Sequence, residues 1–75
     1  MKYYINGVLV RTSDRTYTHA VISKGKPGAV GGFCLHCCCG RYDLAQKALA
    51  DCRRRLTHRP ETVQTLRIVE LEVKK

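Results

Sequence analysis

Cys34-x2-Cys37, followed by Cys52 and His58, is a two-plus-two set of the residue types that hold a structural zinc ion. Such an ion would staple a strand to a helix, a device that suits a small chain. Three features oppose it. Cys52 falls in the middle of an apolar helical arc, where a free cysteine acts as a small hydrophobe. Cys52 and His58 are six residues apart, about 240° around a helix, and so face different ways. Strand alternation puts Cys34 and Cys37 on opposite faces. The reading is therefore a chain without a cofactor, with zinc on Cys34, Cys37, Cys52 and His58 as the alternative.

A reactive thiol is the second chemistry these residues suggest. Cys38 and Cys39 stand just before the predicted helix, whose positive end lowers a nearby thiol pKa, and Arg41 follows closely. A cysteine-phosphatase loop needs five residues between Cys and Arg. Here three separate Cys37 from Arg41 and six separate Cys34 from it. His19 and His36 are available bases, but neither has an evident third group to orient it. The expectation is that the protein is not an enzyme.

The third chemistry is anion binding. Fourteen Lys and Arg against six Asp and Glu give a net charge of +8, which favours an acidic partner. Lys47, Arg53, Arg54 and Arg59, with the loop lysines Lys24 and Lys26, are the expected contact residues. Arg41 could extend this stripe, and Tyr17, Tyr42 or His19 could stack on bases. No helix-turn-helix, RNP-type or KH-type motif accompanies them, so binding would be to backbone phosphates and sensitive to salt.

One element must position these groups. Asp43–His58, DLAQKALADCRRRLTH, has the clearest helical period in the chain. At about 100° per residue, Leu44, Ala45, Ala48, Leu49, Cys52 and Leu56 share one arc. Lys47, Arg53 and Arg54 lie outside it, and Arg55 sits on its edge. Asp43 is the expected N-cap with Gln46 at capping-box spacing, and Pro60 is the expected stop.

Strands surround this helix. Asn6-Gly7 between Tyr3-Tyr4-Ile5 and Val8-Leu9-Val10 is a strong hairpin signal. Thr16–Ser23 alternates, and so does Ala29–Cys39, whose Phe33, Leu35, Cys37 and Cys39 are expected on one face. The Phe33 and Leu35 side is expected to meet the helix. Glu61–Lys75 reads as a last strand whose apolar phase flips at Ile68-Val69, implying a bulge or burial on both faces. The predicted fold is a single α+β domain over residues 1–75. It has a small, mostly antiparallel sheet of about four strands and one amphipathic helix on one face, in β-β-β-α-β order.

With no run of about 20 apolar residues, a membrane span is not expected, and Met1-Lys2-Tyr3-Tyr4 does not read as an export signal. Five cysteines, an odd number, cannot all pair within one chain, so reduced thiols in the cytoplasm are expected. An unpaired outer strand over Thr62–Val73 would offer an edge for a homodimer.

The stretch Arg11-Thr12-Ser13-Asp14-Arg15-Thr16-Tyr17-Thr18-His19-Ala20-Val21, with Asp43-Leu44-Ala45-Gln46-Lys47-Ala48, resembles short reading frames of phages and mobile elements. The organisation is similar to that of small phage anti-CRISPR proteins, which place one helix on a small antiparallel sheet. That resemblance implies a non-catalytic inhibitor in the host cytoplasm that covers a surface of a host nucleoprotein defence complex. Many such inhibitors are acidic and imitate DNA. This basic chain would instead grip an acidic protein patch or the complex's nucleic acid.

Overall fold

Asn6 and Gly7 both take positive φ, 50° and 80°, the pairing of a two-residue hairpin turn whose twist matches its strands. They join β1 (Lys2–Ile5) to β2 (Val8–Thr12) in antiparallel register, with an irregularity between Tyr3 and Tyr4. The computed structural model describes residues 1–74. After the hairpin come β3 (His19–Lys24), a single 3-10 turn over Val30–Gly32, and β4 (Phe33–Cys39). Then follow α1 (Tyr42–Arg55), α2 (Pro60–Thr65), β5 (Arg67–Glu70) and β6 (Glu72–Lys74).

The α+β class is as expected, but a single four-stranded sheet is not what forms. Among the described residues, six strands make two three-stranded antiparallel sheets, ordered β2-β1-β6 and β4-β3-β5. The last two strands are one chain segment broken at Leu71, whose N–H bonds to Thr18 O at 2.9 Å. Its first half pairs with β3 and its second half with β1, so it ties the two sheets together.

That segment explains the phase flip in the sequence. Ile68 packs with Val21, Cys52 and Leu66 beneath the helix. Val69 and Leu71 pack with Ile5, Ala20, Ile22 and Phe33 between the sheets. The second sheet is apolar on both faces, one covered by the hairpin and the other by α1, and so cannot show a simple alternation.

The expectation that Phe33 and Leu35 meet the helix is overturned. Val21 lies opposite Cys37 and Ile22 opposite Leu35, which leaves His36 as an extra residue in a β-bulge. The extra residue reverses the phase. Phe33 turns to the hairpin side along with Cys38, while Cys37 packs on the helix side. Phe33 is almost fully buried there, a burial that contributes about 2–3 kcal/mol.

The helix boundaries also move. Tyr42 opens α1 and Arg41 is its cap residue, with no side-chain capping bond; Asp43 lies in the first turn. The helix ends at Arg55, before Pro60 can act as a stop. Pro60 instead begins α2, where its missing N–H is no loss. Thr62 to Thr65 is accordingly helix, and the strand expected over Thr62–Val73 starts at Arg67. Ala45 and Cys52 are buried and Leu49 and Ala48 partly so, but Leu44 remains 38% exposed.

The loop between the two sheets is pinned by Tyr3, which is fully buried. Its hydroxyl donates to Arg15 O and accepts from Tyr17 N–H at 3.0 Å. The Tyr17 ring stands edge-on to it at 5.4 Å, under the Arg11 guanidinium at 4.8 Å.

Candidate functional site

Because the apolar arc of α1 is held against β3, β4 and β5, its opposite face is fixed outward. Lys47, Arg53 and Arg54 are exposed on that face, together with Gln46 and Ala50. Asp51 is the carboxylate among them. Arg54 Nη2 lies 3.3 Å from its Oδ1 and Arg55 Nε 3.2 Å from its Oδ2. One negative charge thus serves two guanidinium groups. These pairs are open to water, and such pairs are worth little individually. The other helix carboxylate, Asp43, faces Arg41 Nε at 3.6 Å. Among the described residues, Lys47 and Arg53 make no ion pair, so the face keeps an excess of positive charge. Three arginines in the last turn also sit where cations suit the helix dipole.

Arg59 lies four residues beyond α1 and is exposed at the start of α2. It lines a shallow hollow with His58, Pro60, Glu61 and Thr62. Glu61 and Thr62 also line a neighbouring hollow of about 500 Å³, whose other wall is Lys24, Gly25, Lys26 and Pro27. Lys24 N–H is fastened to Thr65 Oγ1 at 3.0 Å, holding the loop against α2. Arg59 thus lines one hollow at α2 and Lys24 and Lys26 the next, with Glu61 and Thr62 common to both, while Lys47, Arg53 and Arg54 form a separate group on α1.

Of the aromatic candidates, Tyr42 is 53% exposed at the start of α1, with its ring 5.3 Å from that of His19 and inclined at 61°. His19 Nδ1 is 2.7 Å from Thr18 Oγ1. Tyr42 can offer a ring edge or face to a base, whereas Tyr17 is engaged with Tyr3 and Arg11.

Cys39 and Cys52 are buried in the core, and Cys37 and Cys38 pack against it. Burial pushes the Cys37 thiol up to about 11, helped by its neighbour Cys39. Burial also raises Cys38, with the nearby Arg11 charge partly opposing it. A lowered pKa from the helix end and Arg41 does not materialise at Cys38, because desolvation of the thiolate wins. Ser23 Oγ and His36 Nε2 are 2.8 Å apart, a hydroxyl–imidazole pair that the sequence spacing did not suggest. Ser23 is only 1% exposed, so its oxygen is a buried partner for the bulged histidine and is not presented to a substrate. The signal that would have revealed the pair is the bulge, which alternation alone conceals.

The alternative zinc set is not assembled. Cys34 lies opposite Ser23 and Cys37 opposite Val21, Cys52 is on the buried side of α1, and His58 is exposed past its end. Among the described residues no group of three or more His, Cys, Asp or Glu side chains converges as a metal cluster. Likewise, no helix is long and apolar enough to cross a membrane. Comparisons with protein families, curated proteins and solved structures find no match to this chain.

Proposed function

We propose that this protein is a non-catalytic binding module that docks the outer face of α1 on a polyanionic surface. The finer reading is inhibition of a host nucleoprotein defence complex, in the manner of the phage proteins it resembles. The observation that carries the binding reading is the excess of exposed guanidinium and ammonium groups on α1 over the carboxylates beside them. Lys47, Arg53 and Arg54 supply the first contact group, and Arg59 with Lys24 and Lys26 the second. Two separate groups of exposed cations suit a partner with many phosphates or carboxylates better than they suit a small anion.

Arginine presents a planar fork of donors to phosphate and is weakly hydrated, so it loses less on docking than lysine does. On a nucleic acid, each phosphate neutralised contributes about −0.9 to the slope of log affinity against log salt for a duplex, and about −0.7 for a single strand. The test is a double reversal, Arg53→Glu with Arg54→Glu, measured by anisotropy on duplex and single-stranded DNA and RNA and by pull-down of CRISPR effector complexes. Both residues are exposed, so circular dichroism should be unchanged. On bare nucleic acid, loss of these two contacts should lower the salt slope by about 2. Binding to an effector complex alone would favour the inhibitor reading. Unchanged binding in the double variant would refute this face as the contact surface.

A further inference from the structure

The cationic face of α1 ends, at its first turn, on an aromatic ring. Of four tyrosines and one phenylalanine, Tyr3 and Phe33 are buried, and Tyr4 and Tyr17 are half-buried with a cation over each ring. Tyr42 alone is open to solvent, at 53% exposed. Its ring is backed by His19 of β3, edge-on at 5.3 Å, and His19 Nδ1 is in turn 2.7 Å from Thr18 Oγ1.

The helix aligns this ring with the cations. Tyr42 and Arg53 are eleven residues apart on α1, which places them within about 20° of each other around its axis and about 16 Å apart along it. Exposed Gln46 lies between them, and Lys47 and Arg54 stand to one side of that line. The ring end itself carries carboxylates. Asp43 is paired with Arg41 at 3.6 Å, and Glu70 lies opposite His19 in the sheet register. That end suits an uncharged base, and the other end suits phosphate.

Resting on the polyanion reading of this face, we propose that Tyr42, backed by His19, stacks on one unpaired base of a single-stranded nucleic acid whose backbone runs along α1 past Gln46 to Arg53. Every base has a π-face, so such a stack tolerates any sequence. In a duplex both faces of each base are covered by neighbours, and only the cations engage it. An acidic protein has no use for the ring, because carboxylates avoid its negative face. Tyrosine has two side-chain torsions to order, so docking on it costs little conformational entropy.

The test is anisotropy with labelled single strands of DNA and RNA, a duplex, and an abasic single strand of equal length. Tyr42→Ala should weaken single-strand binding about fivefold to a hundredfold, the range of one base–aromatic stack. It should leave duplex affinity within twofold and the salt slope unchanged, because no phosphate contact is lost. Tyr42→Phe should bind as the unaltered protein does. The unaltered protein should lose a comparable factor on the abasic strand, a comparison that does not depend on how any variant folds. Unchanged single-strand affinity in Tyr42→Ala, an equal loss on the duplex, or equal binding to normal and abasic strands would overturn the stack. The Arg53→Glu, Arg54→Glu double variant separates the two readings. If it loses binding while Tyr42→Ala does not, the cationic face stands and the stack falls. Retention on polyglutamate with no binding to single strands at low salt would also overturn the stack, in favour of an acidic protein partner.

Discussion

Tyr3→Phe removes one oxygen from the molecule and tests how the loop between its two sheets is pinned. The ring is retained, so the packing on Tyr17 at 5.4 Å persists. What is lost is the acceptor for Tyr17 N–H, at 3.0 Å, and the donor to Arg15 O. A buried polar group left without a partner costs about 1–3 kcal/mol. Both groups are only partly buried, so water can satisfy them in part, and we expect a total near 2 kcal/mol. A domain of this length has a stability of roughly 4–11 kcal/mol, so this is a large fraction of it. The assay is urea unfolding followed by circular dichroism, with thermal unfolding in parallel. At about 4–8 °C per kcal/mol, the midpoint should fall by roughly 8–16 °C. The m-value should not change, because the native surface is the same. A loss below about 0.5 kcal/mol, within the range of ordinary surface substitutions, would refute the argument that this hydroxyl pins the loop between the two sheets.

Two further outcomes follow from the core. Ile68→Ala and Val69→Ala should each destabilise by about 1–2 kcal/mol in urea, because each half-buried side chain packs against a different core cluster; if one is silent, the strand has a single buried face. Stability should also fall as pH rises from about 9 to 11. Cys37 holds its proton in the folded chain up to about 11 against an ordinary value of 9.0, so over that interval the unfolded chain binds fewer protons. Urea midpoints measured under reductant from pH 8 to pH 11 should show the decline, and Cys37→Ser should flatten it.

Much of the fold was legible locally. Asn6-Gly7 marks its hairpin because positive φ at both positions is a property of those two residues. The arc through Ala45, Ala48, Leu49 and Cys52 marks the buried side of α1 because helical period is a repeat within one short segment. Lys47, Arg53 and Arg54 were legible as charges on the far side of that arc, and they are exposed. Less was legible where geometry is set by a neighbouring strand. The His36 bulge exists only relative to Val21 and Ile22, and it sends Phe33 to the hairpin instead of the helix. The Ser23–His36 contact depends on that displaced register. Pro60 reads equally well as the end of one helix or the start of another; the turn after Arg55 selects the second.

By itself, then, the order of residues determined the α+β class, the amphipathic character of α1 and a strong positive charge, because each is a sum or a short-range period. Only the tertiary structure decided that the last segment divides at Leu71 to serve two sheets, that Lys24 and Lys26 share a hollow with Glu61 of α2, and that Asp51 is shared by two arginines. Those arrangements bring together residues far apart in the chain or choose among side-chain directions. Their energies come from contacts that do not exist until the sheets and helices have met.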